Sequence, residues 1–451
     1  MRPWKHILFL LLAGALPVLL SGCMMTASVE DLYTLPQLPD EYRELSAQMD
    51  AILASGAEYA APTAGSNLQP VQLEDLDGDG IEEAVAFFRQ NSDERPLKIY
   101  IFRAVEDTYV QASVIEGSGT AIHSIRYEDM DHDGVKEVLV SWRVSTEVQA
   151  MAAYALENLE PVMIMSAAYT RYEVIDLDSD DVMELVVLRS DETESGGTVA
   201  DYYDWDGGSL QLRSSARLST TPAELQWVQT GTLESGETAL FVTGRVTGVE
   251  ETSRAVTDIL TYREPDLTNI VLSSSTGVST QISRFLNLQP TDVNGDGITE
   301  VPRPAELLST AGEDTYWKIY WFSYAADGTP TQQAITYHNQ SDSWYLLIPE
   351  AWDTHFTVRQ DSSSATERAT TFYSVNNGGV GEALFTVYTL TGSDREARAA
   401  KAGRSILRLQ PDTIYAVDFT EAYSQWRFAV DQEDLAGQFR PILAQWNTTD
   451  N

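Results

Sequence analysis

The chain has 451 residues, and its 68 acidic against 29 basic side chains give a formal net charge of −39. That balance excludes nucleic acid as a partner, because contact with phosphates needs a basic face. The length allows two or three domains with a substantial core. Cys23 is the only cysteine, so an intramolecular disulfide is impossible and any stapling of the fold falls to metal loops.

Taken from the start, Arg2 and Lys5 form a short positive region, and Ile7 to Leu20 is an apolar stretch too short for a comfortable membrane span. Leu20-Ser21-Gly22-Cys23 closes it. This segment resembles a bacterial lipoprotein signal peptide with its lipobox. The resemblance implies that residues 1–22 are removed and that Cys23 carries the lipid. The mature protein would then be anchored on the extracytoplasmic face of the bacterial cell membrane. Loss of Arg2 and Lys5 would move the net charge from −39 to −41, leaving the acyl chains rather than the folded body to hold the membrane. Residues 23–38 read as a tether and 39–67 as a helix and loop. In the helix, predicted from Asp40 to Ser55, Tyr42, Leu45, Met49, Ile52 and Leu53 share one stripe, and Gly56 follows as a C-cap.

The next stretch, Asp75-Leu76-Asp77-Gly78-Asp79-Gly80-Ile81-Glu82-Glu83, has carboxylates at positions 1, 3, 5 and 9 and glycine at 6, with the carbonyl of Ile81 at position 7 as a further oxygen. Hard oxygen ligands on one tight turn are calcium chemistry. The spacing returns with Asp129, Asp131, Asp133, Val135 and Glu137, and again with Asp176, Asp178, Asp180, Val182 and Glu184. A fourth set is Asp292, Asn294, Asp296, Ile298 and Glu300. An EF-hand would carry glutamate at position 12, which is here Ala86, Val140, Val187 and Arg303. Apolar, β-branched or aromatic runs follow the first three loops, so the loops join strands. Asp181 stands where the third loop should have glycine, and Pro302 and Pro304 confine the strand after the fourth loop to a short or edge position.

The first aspartates lie at 75, 129, 176 and 292, in steps of 54, 47 and 116. The last step is a double one, so a unit without metal ligands is expected between the third and fourth loops. It is visible as Leu225 to Val228, a shortened loop from Gly231 to Glu237, and Thr238 to Val242. Each unit adds an aromatic-rich strand, such as Lys98 to Phe102 or Lys318 to Phe322. Four short strands per unit of about 50 residues are the signature of propeller blades. Over residues 68–338 the chain resembles the FG-GAP/VCBS-type calcium repeats of integrin-alpha-like β-propellers, although the Phe-Gly and Gly-Ala-Pro signatures are absent. The resemblance implies a mainly β fold of about five four-stranded blades, with up to four structural calcium ions held by the residues named above.

Residues 339–451 have a different texture, with strands at Trp344 to Ile348, Phe356 to Val358, Thr370 to Tyr373, Ala383 to Leu390, Ile406 to Leu409 and Ile414 to Val417. A helix is predicted from Asp431 to Phe439. They read as a small α+β domain. No catalytic centre is legible: His123, His132, His338 and His355 form no zinc motif, no nucleophile elbow is present, and lipidation of Cys23 would leave no free thiol. The tryptophans lie mostly in predicted strands, where packing accounts for them. The sequence therefore points to a calcium-stabilised binding or scaffolding lipoprotein recognising a protein or glycan, with a surface enzyme acting on polysaccharide as the alternative.

Overall fold

The computed structural model describes residues 40–106, 108–146, 148–191, 196–247, 253–309 and 315–442. Cys23, the expected signal peptide and the tether lie outside the described residues. Among those described, no helix is long and apolar enough to cross a membrane.

The chain is built almost entirely from antiparallel β-sheets taken up one after another. Helix α1 (Asp40–Ala54) comes first and lays Leu45 and Met49 on Ala84, Ala86 and Phe88 of sheet 1. Sheet 1 runs from Val71–Glu74 through Glu83–Arg89 and Leu97–Val105 to Thr108–Gly117. The short strand Glu58–Tyr59 extends its first strand along the same neighbour. Sheets 2 (121–169) and 3 (171–217) each have four strands in sequence order. Sheet 4 (225–284) begins with Leu225–Thr232 and Thr238–Thr247, as expected of the unit without metal ligands, and carries a fifth strand, Ile282–Arg284. Sheet 5 starts at Val301–Glu306, where Pro302 and Pro304 occupy an edge strand that pairs on one side only.

The second strand of each of the first three sheets explains the apolar runs. In Glu83–Arg89 and Glu137–Arg143 six consecutive residues are buried, and in Glu184–Ser190 five are. Such strands are covered on both faces, so no alternation survives. The covering comes from the next sheet. One apolar cluster joins sheets 1 and 2, a second sheets 2 and 3, a third sheets 3 and 4, and a fourth sheets 4 and 5. Sheets 5 and 6 share the largest, built on Trp344, Trp352, Phe372 and Phe385. Trp142, Trp227, Trp321, Trp344 and Trp352 are all buried, in keeping with packing roles.

The first strands of sheets 2, 3 and 4 converge with the loop at 64–67 on one cavity of about 570 Å³. Residues 60–70 reach it by leaving the line of the split first strand. They dock through the amides of Thr63 and Ala64, which donate to the His123 carbonyl at 3.0 and 2.8 Å.

Sheet 5 spans the expected domain division at 338/339, which falls inside the strand Pro330–Asn339. That strand pairs with Trp344–Leu347, which in turn takes Phe439–Pro441 as the outermost strand. Between them the chain forms sheet 6, Phe356–Asp361, Glu367–Asn376, Gly379–Thr391, Arg404–Leu409 and Thr413–Phe419. Three short helices accompany it: α2 (Arg395–Ala399), α3 (Glu421–Gln425) and α4 (Gln432–Gln438). The Asp431 carboxylate caps α4, close to the expected span.

Candidate metal centres

Each of the first three acidic stretches connects the first two strands of a sheet, and the fourth is closed by the bridge between Thr291 and Glu300 and leads directly into Val301–Glu306. Local chemistry folds them alike. The position-1 aspartate accepts amides of the turn: Gly78 and Gly80 on Asp75 at 2.9 and 3.0 Å, Gly134 on Asp129 at 3.2 Å, Ser179 on Asp176 at 2.7 Å, and Gly295 and Gly297 on Asp292 at 2.7 and 2.8 Å. At position 5, Asp79, Asp133, Asp180 and Asp296 accept from the amides of Ile81, Val135, Val182 and Ile298 at 2.7–2.9 Å. The glutamate at position 9 opens the next strand and accepts from the position-2 amide. These pairs are Glu83 with Leu76 (3.1 Å), Glu137 with Met130 (2.9 Å), Glu184 with Leu177 (2.7 Å) and Glu300 with Val293 (2.9 Å). The position-2 side chains are buried to 3% exposure or less and pin every loop to the core.

Two positions in every loop are left-handed. Position 6 has φ of +84° at Gly80, +91° at Gly134, +71° at Asp181 and +86° at Gly297, so Asp181 does adopt the glycine conformation. Position 4 is left-handed as well, at Gly78, His132, Ser179 and Gly295. That second requirement was not read from the sequence, although two glycines there were its signal. His132 is exposed, as expected for a side chain turned away from the loop centre.

The folding gathers Asp75, Asp77 and Glu83; Asp129, Asp131 and Glu137; Asp176, Asp178, Asp180 and Glu184; and Asp292, Asp296 and Glu300, each set with its ligand atoms within 4.8 Å of one another. Asp79 and Asp133 fall outside these sets, while Asn294 donates to Asp296 at 2.9 Å. One buried carboxylate oxygen in each loop has no hydrogen-bond donor: Asp77 Oδ1, Asp129 Oδ1, Glu184 Oε1 and Glu300 Oε1. An orphaned buried acceptor is costly unless something positive meets it. These acidic clusters could hold metal ions, and an all-oxygen, carboxylate-rich donor set fits a hard divalent cation. The same crowding pushes glutamate pKa values up, first through burial and then through the loop aspartates. Glu83, Glu137 and Glu300 rise to about 7 and Glu184 to about 8. Asp131 and Asp178 rise for the same reasons.

The loops also touch one another. The Lys136 amide donates to the Leu76 carbonyl at 2.8 Å and that of Met183 to the Met130 carbonyl at 2.7 Å, so position 8 of one loop bonds position 2 of the loop before. Thr299 of the fourth loop instead bonds Thr232 of sheet 4, at 2.9 Å.

Neither a family model nor a curated protein matches this chain. Among solved structures it is similar to a protein from Lactobacillus plantarum, with 11% identity, 71% of this chain and 84% of that one covered, and a TM-score of 0.26. It is also similar to the β-propeller domain of the Trilobed protease from Pyrococcus furiosus, described as having an open velcro topology. There the identity is 10%, the coverage 74% and 91%, and the TM-score 0.27. At these scores the architecture rests on the chain's own strand pairing.

Proposed function

We propose that the chain is an extracytoplasmic binding or scaffolding lipoprotein, held to the membrane through Cys23 and built as a calcium-stabilised β-propeller of FG-GAP/VCBS type that recognises a protein or glycan. The observation that carries the calcium reading is the donorless buried carboxylate oxygen repeated in all four loops. Serial face-to-face packing of the sheets, with the first strands of three of them around one cavity, supports the propeller arrangement. At millimolar calcium and the weak affinity of extracellular modules, each site contributes roughly 0.4 to 1.4 kcal/mol, about 2 to 6 kcal/mol for four. That is comparable with the net stability of a domain.

The test is thermal unfolding of the full chain in detergent, in millimolar calcium and in excess EGTA, beside the double variant Asp77→Ala/Asp131→Ala. A calcium-dependent rise in midpoint that shrinks in the variant is expected. Equal midpoints with and without calcium would sink the calcium reading. The anchor is tested separately by metabolic labelling with a radioactive fatty acid, which Cys23→Ser should abolish.

A further inference from the structure

The cavity framed by the first strands of sheets 2, 3 and 4 has a charge pattern at odds with the rest of the molecule. The chain has more than two acids for every base, yet three arginines gather here. Arg126 is satisfied by Glu128 at 3.0 Å and lies 5.9 Å over the Tyr172 ring. Arg171, on the cavity wall, donates to the carbonyl of Thr170 at 3.0 Å. Arg143, behind the wall, donates to His123 Nδ1 at 3.1 Å and reaches Thr63 Oγ1 at 3.5 Å. Among the described residues neither Arg143 nor Arg171 has a carboxylate partner.

An arginine cannot accept a hydrogen bond, so the Arg143 contact makes His123 Nδ1 the acceptor and leaves the imidazole proton on Nε2. Burial and the two guanidinium groups hold the His123 pKa below its usual value, consistent with that neutral tautomer. Glu128 and Glu173 also line the cavity, but the charged groups that act on His123 are Arg143 and Arg171, so His123 and Arg171 present donors on its more positive side. Such a wall is complementary to a carboxylate. Tyr172, with Tyr169 edge-on at 5.4 Å, supplies an aromatic surface, and Gln149 adds an amide that can meet hydroxyls. At about 570 Å³ the space suits one or two sugar rings.

We propose that this cavity binds the carboxylate of a sugar acid, with Arg171 as its charge partner and His123, oriented by Arg143, donating from Nε2. The assignment rests on the reading of the chain as a binding module but not on its calcium loops.

The experiment is calorimetric titration of the calcium-loaded full chain with digalacturonate, cellobiose and inorganic phosphate. Digalacturonate should bind, with cellobiose and phosphate each at least about tenfold weaker, and Arg171→Gln should weaken digalacturonate about tenfold or more. Arg143→Gln, acting through His123, should weaken it less, and His123→Gln should retain part of the binding because an amide can still donate. Equal binding of cellobiose, equal or tighter binding of phosphate, or an unaltered affinity in Arg171→Gln would overturn the assignment. Thermal midpoints of the same samples separate the two readings. A normal calcium response without digalacturonate binding removes this inference alone, whereas digalacturonate binding without a calcium response removes only the calcium reading.

Discussion

Sheets 1 to 3 and sheet 4 solve the same problem, turning from the first strand into the second, by different chemistry. In the first three, nine-residue acidic loops fold around aspartates and hold a buried oxygen that lacks a donor. In sheet 4 the turn at 233–237 closes on its own backbone: Leu233 donates to Glu237 and Gly236 to Leu233, both at 2.9 Å. Its acids are satisfied by neighbours, Glu234 by Ser323 at 2.6 Å and Glu237 by Arg263 at 3.2 Å. A short turn thus satisfies its own polar groups, while a long acidic one accumulates negative charge that a cation could offset.

The largest expected contrast is in pH dependence. In the ion-free protein the position-9 glutamates have folded pKa values of about 7 to 8 against an ordinary 4.5. The stability they confer is fully present below pH 4.5 and is lost as pH rises through 7 to 8, on the order of several kcal/mol in all. In excess EGTA the thermal midpoint should therefore fall between pH 5 and 8. Millimolar calcium should cancel or reverse the fall, because the ion binds the deprotonated loop. Hydrogen exchange under EGTA should accelerate at 75–83, 129–137 and 176–184 but not at 233–237. Uniform exchange in both kinds of turn would remove the contrast.

A glycine pair sharpens the comparison next. A Cβ at Gly78 would lie 2.1 Å from the Gly134 carbonyl oxygen, whereas one at Gly236 meets nothing within 4 Å; both have positive φ. Gly78→Val should cost about 3 kcal/mol or more and weaken calcium binding in two loops, and Gly236→Val about 1 to 2 kcal/mol from backbone strain alone. Chemical denaturation of the two variants measures the difference, and equal losses would contradict the loop contact.

Smaller effects follow from the amide bonds between loops. Because loop 2 bonds loop 1 and loop 3 bonds loop 2, emptying loop 1 with Asp77→Ala should weaken calcium in loop 2 by about 0.5 to 1.5 kcal/mol. Loop 4, which adjoins the ion-free turn, should be unaffected; site-resolved calcium titration by NMR distinguishes them. The smallest change is Asp181→Gly, which relieves a left-handed non-glycine residue and should raise stability by about 0.5 to 1 kcal/mol in denaturant melts.

The acidic clusters were legible because their carboxylates lie within nine residues, and the unit without that spacing was legible because it interrupts a period. Helix α1 was legible from a single apolar stripe. The cavity was not, since His123, Arg171 and Val228 come from three different sheets and no local spacing connects them. The extent of sheet 5 escaped for a related reason. The strand Phe439–Pro441 is short, and nothing near it in the chain announces a partner at Trp344–Leu347. Texture marked 339 as a division, but hydrogen bonding continues past it.

That last strand also bears on how the protein is made. Sheets 1 to 3 consist of contiguous hairpins and can form in order as the chain emerges, each offering its face to the next. Sheet 5 must wait with Trp344–Leu347 as a bare edge until all of sheet 6 has followed, because Phe439–Pro441 covers that edge only afterwards. Late in synthesis the molecule is thus most exposed to mispairing at this seam, where Tyr345 donates to the Val293 carbonyl of the fourth acidic loop at 3.3 Å.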